Sequence, residues 1–260
     1  MFLAVDAGNT KVTFGFFDGD KIKHVESVTC TANTKCSDIE VMLKERFTNF
    51  RVEHCMISSV VDELTENLKN VVSEFFSVAP LVLSHKLNYG INFKSEHPEK
   101  YGADRVANVH AAAKLYEQRP LIVIDSGSAT TFEVIDKNGD FSGGLIMPGM
   151  ELQLKVLGEK TSKLPSLSLK KLSDDINIIS NDTEEAIYAG VVVAHAQAVQ
   201  GLLKLCEQKL GEKAFVVGTG GNINLVNKFM NERKIDVINP SLTLEGIRMI
   251  YELNKLLVCG

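Results

Sequence analysis

Short apolar runs closed by polar, glycine-containing turns recur along the chain. Residues 2–5 are apolar and end in Asp6-Ala7-Gly8-Asn9-Thr10, the pattern of a buried strand delivering its last residue into a turn. Residues 12–17 are rich in β-formers, Asp18-Gly19-Asp20 turns the chain, and residues 22–29 predict a third strand of a meander. Ser37-Asp38 reads as the cap of a helix running to Phe47, with Ile39, Leu43 and Phe47 four apart. A strand over 54–59, an amphipathic helix over 62–76 and a strand over 81–83 give the order βββαβαβ. Residues 84–100 mix Asn, Gly, His and Pro and read as a loop over a site, followed by an Ala-rich helix over 103–117.

The opening plan then recurs. Residues 121–124 are an apolar strand ending in Asp125-Ser126-Gly127-Ser128-Ala129-Thr130-Thr131, residues 132–135 continue as strand, and Lys137-Asn138-Gly139-Asp140 turns into a returning strand over 141–146. A helix over 150–157, a polar connector around Pro165 and a long helix capped by Asp182 or Thr183 and reaching Leu210 follow. A strand over 214–217, the turn Thr219-Gly220-Gly221, a helix, a short strand over 235–238 and a helix over 242–256 complete the second half. The repeated order of strand, Asp-x-Gly turn and meander predicts an internal duplication, with domains 1–117 and 118–260.

Length and composition agree with two α/β domains. The chain has 260 residues, 45% hydrophobic and 23% charged, enough apolar material for real cores. A net charge of -5 argues against a general nucleic-acid binder. Five scattered cysteines with no CxxC pair suggest reduced thiols rather than a disulfide framework or zinc site. The apolar start is too short for a signal segment, and no stretch reads as membrane-spanning. The expectation is a cytoplasmic protein with no membrane and no nucleic-acid partner.

Several turns carry candidate chemistry. Asp6 sits at the mouth of a buried strand, where a carboxylate needs a partner. Gly8 permits close backbone approach, and Asn9, Thr10 and Lys11 offer donors to an anion, so this hairpin suits phosphate beside an acid able to hold a metal ion. The same residues also suit an ordinary turn. Asp125 and its hydroxyl-rich loop repeat the arrangement, and two such hairpins facing across a cleft would grip a polyphosphate and cation. Gly102-Ala103-Asp104-Arg105 begins a helix: Asp104 is either a cap or an acceptor of a hydroxyl proton, with Arg105 fixing an anionic substrate. Gly143-Gly144 and Pro148-Gly149 suggest a bulge and close backbone contact. The turn at Gly218-Thr219-Gly220 fails the dinucleotide fingerprint, and no GxxxxGK[ST], HExxH or GxSxG occurs.

Taken in order, Asp6-x-Gly8-Asn9-Thr10, Gly102-x-Asp104-Arg105, Asp125-x-Gly127-x-Ala129-x-Thr131, Gly143-Gly144-x-Ile146-x-Pro148-Gly149 and Thr183-x-x-Ala186-x-x-x-Gly190 resemble the signature of type III pantothenate kinases, within the actin-like ATPase superfamily. The resemblance implies two ribonuclease H-like domains, each a mixed β-sheet flanked by helices, with the active site in the cleft between them, and a homodimer. It implies ATP-dependent phosphorylation of pantothenate to 4'-phosphopantothenate, the first step of coenzyme A biosynthesis. Carried across, Asp6, Ala7, Gly8, Asn9, Thr10, Lys11, Val12, Thr13 and Ser128 bind ATP, and Asp6 helps hold magnesium. Gly102, Ala103, Asp104, Arg105, Ser95 and Thr183 contact pantothenate, Asp104 is the general base, and Asp125 holds potassium or ammonium. Two positions depart from the family: Ser128 replaces the usual Thr, and Ser95 stands where a substrate-contacting Tyr is common. Tyr89, Phe93 and Tyr101 offer aromatic surface from the same loop. The alternatives are a non-catalytic regulatory relative, or a kinase of another small acid or sugar on the same fold.

Overall fold

The computed structural model describes residues 1–95, 97–172 and 175–255. The chain forms two compact units, Met1–Glu117 together with the chain from Ser241 onward, and Gln118–Pro240.

The first unit is built on a five-stranded sheet. Its strands are β1 (Phe2–Ala7), β2 (Val12–Asp18), β3 (Lys21–Val28), β4 (His54–Ser59) and β5 (Leu81–Val82), in the order β3-β2-β1-β4-β5. β1 pairs antiparallel with β2 and parallel with β4, so it is the central strand. Strand alternation sorts its side chains. Leu3, Val5 and Ala7 join Phe14 and Phe16 under α1 (Cys36–Arg46) and α2 (Asp62–Phe76). Phe2 and Ala4 face the other way, against α3 (Ala103–Leu115). The cap of α1 falls earlier than expected: Lys35 is the N-cap, and Asp38 accepts a hydrogen bond from its backbone N–H at 3.4 Å.

The second unit has the same plan. Its strands are β6 (Leu121–Ser126), β7 (Ala129–Ile135), β8 (Phe141–Pro148), β9 (Phe215–Thr219) and β10 (Val237–Ile238), in the order β10-β9-β6-β7-β8. β6 is again central, antiparallel to β7 and parallel to β9. The matching strand orders bear out the duplication read from the repeated turns. The helices are α4 (Met150–Lys160), α5 (Thr183–Tyr188), α6 (Ala194–Leu210) and α7 (Ile223–Phe229), and a π-helical segment, Ala189–Val193, joins α5 to α6. The resulting 28-residue helix is long and apolar enough to cross a membrane by length and composition, which the sequence reading did not expect. It is a core helix: half its most apolar window is buried, and Ile187, Val191, Val192, Ala196, Val199 and Leu203 face the sheet.

The last helix, α8 (Leu242–Asn254), lies elsewhere than the sequence suggested. A second domain of 118–260 would include it, but it packs in the first unit. Its apolar stripe, Leu244, Ile247, Ile250 and Tyr251, covers the face of the first sheet that Phe2, Ala4, Phe17 and Met56 would otherwise expose. Small residues bring it close. Gly15 lies where a Cβ would meet Leu244 at 2.9 Å, and a Cβ on Gly246 would lie 2.0 Å from the Ala107 carbonyl oxygen. Thr243 Oγ1 also donates to Asn108 Oδ1 of α3 at 2.8 Å.

A Gly246→Ala variant therefore forces α8 off α3. Overpacking of this kind costs about 1–3 kcal/mol, more than the roughly 1 kcal/mol of helix propensity that alanine adds. Thermal denaturation should show Tm falling by several degrees, and an unchanged or raised Tm would mean that the α3–α8 contact does not hold this unit.

Candidate active site

In the first unit the candidate residues gather at one end of one sheet face. Asp6 is next to the end of β1 and alternates to the same face as Phe2 and Ala4. It is half-buried, and Ser58 Oγ, from the neighbouring position on β4, donates to its Oδ1 at 3.3 Å. The turn after it closes with Gly8 N–H donating to Lys11 O at 3.0 Å, which leaves Asn9, Thr10 and Lys11 exposed. Val12 is buried as the anchor of the returning strand, and Thr13 pairs with Asp6 in register while its hydroxyl meets Ser27 Oγ at 2.9 Å.

α3 starts beside this turn. A Cβ on Gly102 would lie 3.5 Å from Val60, whose N–H donates to Ala7 O at 3.2 Å. The same Cβ would lie 2.6 Å from Asp104 Oδ1, so glycine makes room for the carboxylate to fold back over the helix start. Ala103 is buried and fixes that first turn in the core. Burial pushes the Asp104 carboxyl above the usual aspartate range; the Arg105 N–H, which donates to Oδ1 at 2.8 Å, and the Arg105 charge oppose that rise without cancelling it. A carboxylate of this kind is a stronger base than an ordinary surface aspartate.

The loop over 84–95 is pinned above α3. Asn254 of α8 accepts from Asn88 N–H at 2.9 Å and donates to Asn88 O at 2.8 Å, while His110 Nδ1 donates to Tyr89 O at 2.5 Å. Burial lowers the His110 pKa, so the ring is held neutral. Tyr89, Phe93 and Tyr101 form a continuous aromatic row, with ring centroids 5.3 and 5.5 Å apart, and Arg105 lies 5.3 Å over the Tyr101 ring. Ser95 sits within this loop as a turn residue: its N–H donates to Phe93 O at 2.8 Å and its Oγ accepts from His97 N–H at 3.1 Å.

In the second unit, Asp125 is half-buried and next to the end of β6, directly opposite Thr131 on β7 and beside Thr219 on β9. Cross-strand partners share a face, and Thr131 Oγ1 is a buried hydroxyl without a hydrogen-bond partner. The turn after β9 closes over this point. Gly220 has φ +89°, and a Cβ there would lie 2.4 Å from Asp125 Oδ1 and 2.5 Å from Ser126 O. The sequence reading noticed this turn only as a failed dinucleotide motif; its glycine instead lets the backbone approach Asp125. Ser128 is exposed at the tip of the β6–β7 turn, and its carbonyl accepts from Gly149 N–H at 3.0 Å. The expected bulge is present: the β7–β8 register shifts at Val134/Ile135, and Gly143 has φ +116°.

Thr183 is the first residue of α5, capped by Asp182, which accepts from Glu185 N–H at 3.0 Å. It is exposed and lines a groove of about 830 Å³ with Pro148, Leu152, Gln153 and Asn181. Gln153 and, beneath it, His195 are polar residues that the sequence reading did not single out. Among the described residues no three His, Cys, Asp or Glu side chains cluster as a ready-made metal cage, and the four described cysteines are free. Cys259 lies outside the described residues.

Comparison with known proteins agrees with this picture. The profile of the family described as type III pantothenate kinase matches residues 2–205. A type III pantothenate kinase of Agathobacter rectalis is 33% identical over 257 residues, covering 96% of both chains. Another, of Dehalococcoides mccartyi, is 33% identical over 258 residues, covering 97% of this chain and 96% of the relative. Among solved structures, a putative Baf family transcriptional activator from Campylobacter jejuni aligns with a TM-score of 0.60 at 20% identity, over 98% of this chain and 99% of that one. An activator of 2-hydroxyisocaproyl-CoA dehydratase from Clostridium difficile with bound ADPNP aligns at 0.56 and 15% identity, over 100% and 97%. At those identities the structures speak for the actin-like ATPase fold. The full-length sequence matches go further: this chain belongs to the type III pantothenate kinase family.

Proposed function

We propose that the protein transfers the γ-phosphoryl group of ATP to the hydroxyl of pantothenate, with Asp104 as general base. The observation that carries the assignment of roles is the environment of Asp104. Burial raises its pKa, and it stands at a helix start with a guanidinium next in sequence. Phosphoryl transfer demands charge neutralisation and in-line positioning more than covalent help. The turn Asp6 to Thr13 and the tip at Ser128 offer backbone and hydroxyl donors to phosphate. Gly102 to Arg105 and Thr183 contact pantothenate, with Arg105 toward its carboxylate. The aromatic row Tyr89, Phe93 and Tyr101 supplies the apolar wall in place of the tyrosine that Ser95 replaces, since Ser95 is committed to its own turn.

The cation sites fit the same reading. Asp125 with the orphaned hydroxyl of Thr131 is an oxygen donor pair suited to potassium or ammonium, and Asp6 suits magnesium carried with the nucleotide. When bound, these ions neutralise phosphate charge. We further propose a cytoplasmic homodimer. Leu145 and Ile146 on edge strand β8, with Leu152 and Val156 on α4, are exposed apolar surface that a second copy would cover.

ATP consumption by the purified protein with magnesium should require both pantothenate and potassium or ammonium, and sodium should not replace them. Turnover without pantothenate, or none at all while ATP still binds, would favour the other-acceptor or regulatory reading. Asp125→Ala should abolish the response to potassium, and an unchanged activation curve would remove Asp125 from the cation site.

Asp104→Asn separates base from scaffold. Activity should fall by about 100- to 10,000-fold, the usual contribution of a general base, with ATP binding retained. Stability should move the other way. The folded pKa of Asp104 lies above its unfolded value, so the carboxylate costs stability once pH rises past the ordinary aspartate range. The variant should thus show a higher Tm than the wild type at neutral pH, and the gain should vanish as pH falls below that range. A Tm difference that does not change with pH would contradict the burial argument.

A further inference from the structure

A chain of polar side chains runs through the second unit beneath the Asp125 turn. Gln153 Nε2 lies 2.9 Å from Pro148 O and 2.9 Å from His195 Nδ1. A carbonyl oxygen only accepts, so this atom is the amide NH2, and it donates to His195 Nδ1 as well. His195 is 2% exposed, and burial lowers its pKa, so the ring is neutral. With Nδ1 accepting, the ring proton sits on Nε2 and is donated to Thr130 Oγ1 at 3.0 Å. Thr130 Oγ1 in turn lies 3.3 Å from Ser126 Oγ, a bond in which either hydroxyl can donate. Ser126 and Thr130 are both fully buried cross-strand partners that close the turn holding Ser128. As far as Thr130 every donor has a direction, and the direction is set from Gln153.

The fold itself does not require this chain. In the first unit the equivalent pair closing the β1–β2 turn is Ala7 and Val12, both apolar and buried. The same strand geometry is thus stable with a greasy anchor, and polar groups with net worth of only about 1 kcal/mol per hydrogen bond are a poor substitute for it. The second unit also spends an irregular helix on the arrangement. The π segment Ala189–Val193 immediately precedes Ala194-His195, and one extra residue per turn advances the helix phase by about 100°. At its far end the chain reaches Gln153, a lining residue of the groove that holds Thr183.

We propose that His195 is a positioning residue for the ATP-phosphate turn, fixing Ser126 and hence the Gly127-Ser128 tip through Thr130, with its tautomer set by Gln153 at the pantothenate groove. This rests on the reading that the β6–β7 turn contacts ATP.

Two amides that each mimic one ring nitrogen test it. In His195→Gln the amide reaches the Nε2 position and still donates to Thr130. In His195→Asn the amide reaches only the Nδ1 position, keeping Gln153 and losing Thr130. Each loses one buried hydrogen bond, so a purely structural role predicts similar Tm losses and the same KM for ATP. The proposal instead predicts that His195→Asn raises the KM for ATP about tenfold, the scale of one hydrogen bond, while His195→Gln stays within about twofold. Thr130→Val cuts the chain at its middle with little change of shape and should reproduce the Asn effect, which decides the matter should either His195 variant fail to fold. Equal KM values for ATP in the two His195 variants, or a wild-type KM in Thr130→Val, would overturn the proposal. Ser128→Ala is the control for the reading beneath it: if that variant also keeps the wild-type KM, the Ser128 hydroxyl does not contact ATP. If it raises KM while the chain variants do not, only the positioning role fails.

Discussion

A central strand buried on both faces has apolar side chains along its length and water only at its end, so its last polar side chain must find a partner there or stay costly. β1 and β6 both meet this constraint with an aspartate. Leu3, Ala4 and Val5 precede Asp6, and Ile122, Val123 and Ile124 precede Asp125, all fully buried. Ser58 on the neighbouring strand donates to Asp6, while Asp125 has Thr131 opposite it in register. Each acid stands half-buried next to a turn rich in donors, and on that arrangement the proposed cation and phosphate contacts rest. The elements around them fit that arrangement: Gly102 and Gly220 let backbone or side chains come close, and α3 and α8 close the sheet face on which Asp6 lies.

Much of this was legible because the physics is local. A strand of apolar residues ending in Asp-x-Gly announces both the buried strand and its functional end, and two copies in the same order announce the duplication. Asp182 as a cap, the Gly143 bulge and the meander turns are likewise set by residues within a few positions of one another. The placement of α8 was not legible, because its stripe of Leu244, Ile247, Ile250 and Tyr251 matches any open sheet face. What selects the first sheet is the close approach at Gly15 and Gly246, and nothing local marks those glycines as partners of Leu244 and Ala107. The family resemblance named the site residues, yet it left Gly220 aside as a broken nucleotide motif. Its role follows from φ +89° against the Asp125 carboxylate, a contact across 95 positions of sequence that no spacing rule encodes.

Gln153 and His195 escaped for a related reason. A lone histidine on an apolar helix reads as core, and by burial it is core. The π segment before it also breaks the 3.6-residue period by which a helical face is read. Only the direction of the hydrogen bonds, fixed at Pro148 O, separates a directed chain from a satisfied buried side chain.

The difference between the two halves follows from the two-residue period of a strand. Asp125 and Ser126 are consecutive, so they point to opposite faces of the sheet. One shares its face with Thr131, and the other is sunk toward α6 with Thr130. Asp6 and Ala7 divide in the same way, but Ala7 sinks into a hydrocarbon core that resists displacement without specifying the orientation of anything polar. An apolar anchor sets where a turn sits; a directed hydrogen-bond chain also sets how its groups are turned. The first turn has four residues, 8–11, and is tied by its own Gly8–Lys11 hydrogen bond. The second has three, 127–129, with Ser128 at its tip; it is tied by its own Gly127 N–H to Ala129 O hydrogen bond at 2.9 Å and also leans on Gly149 and the chain below. Each turn is thus tied once within itself, and what separates them is the base: hydrocarbon under the first, a hydrogen-bond chain under the second, which makes that base the place where the second turn's donors are aimed.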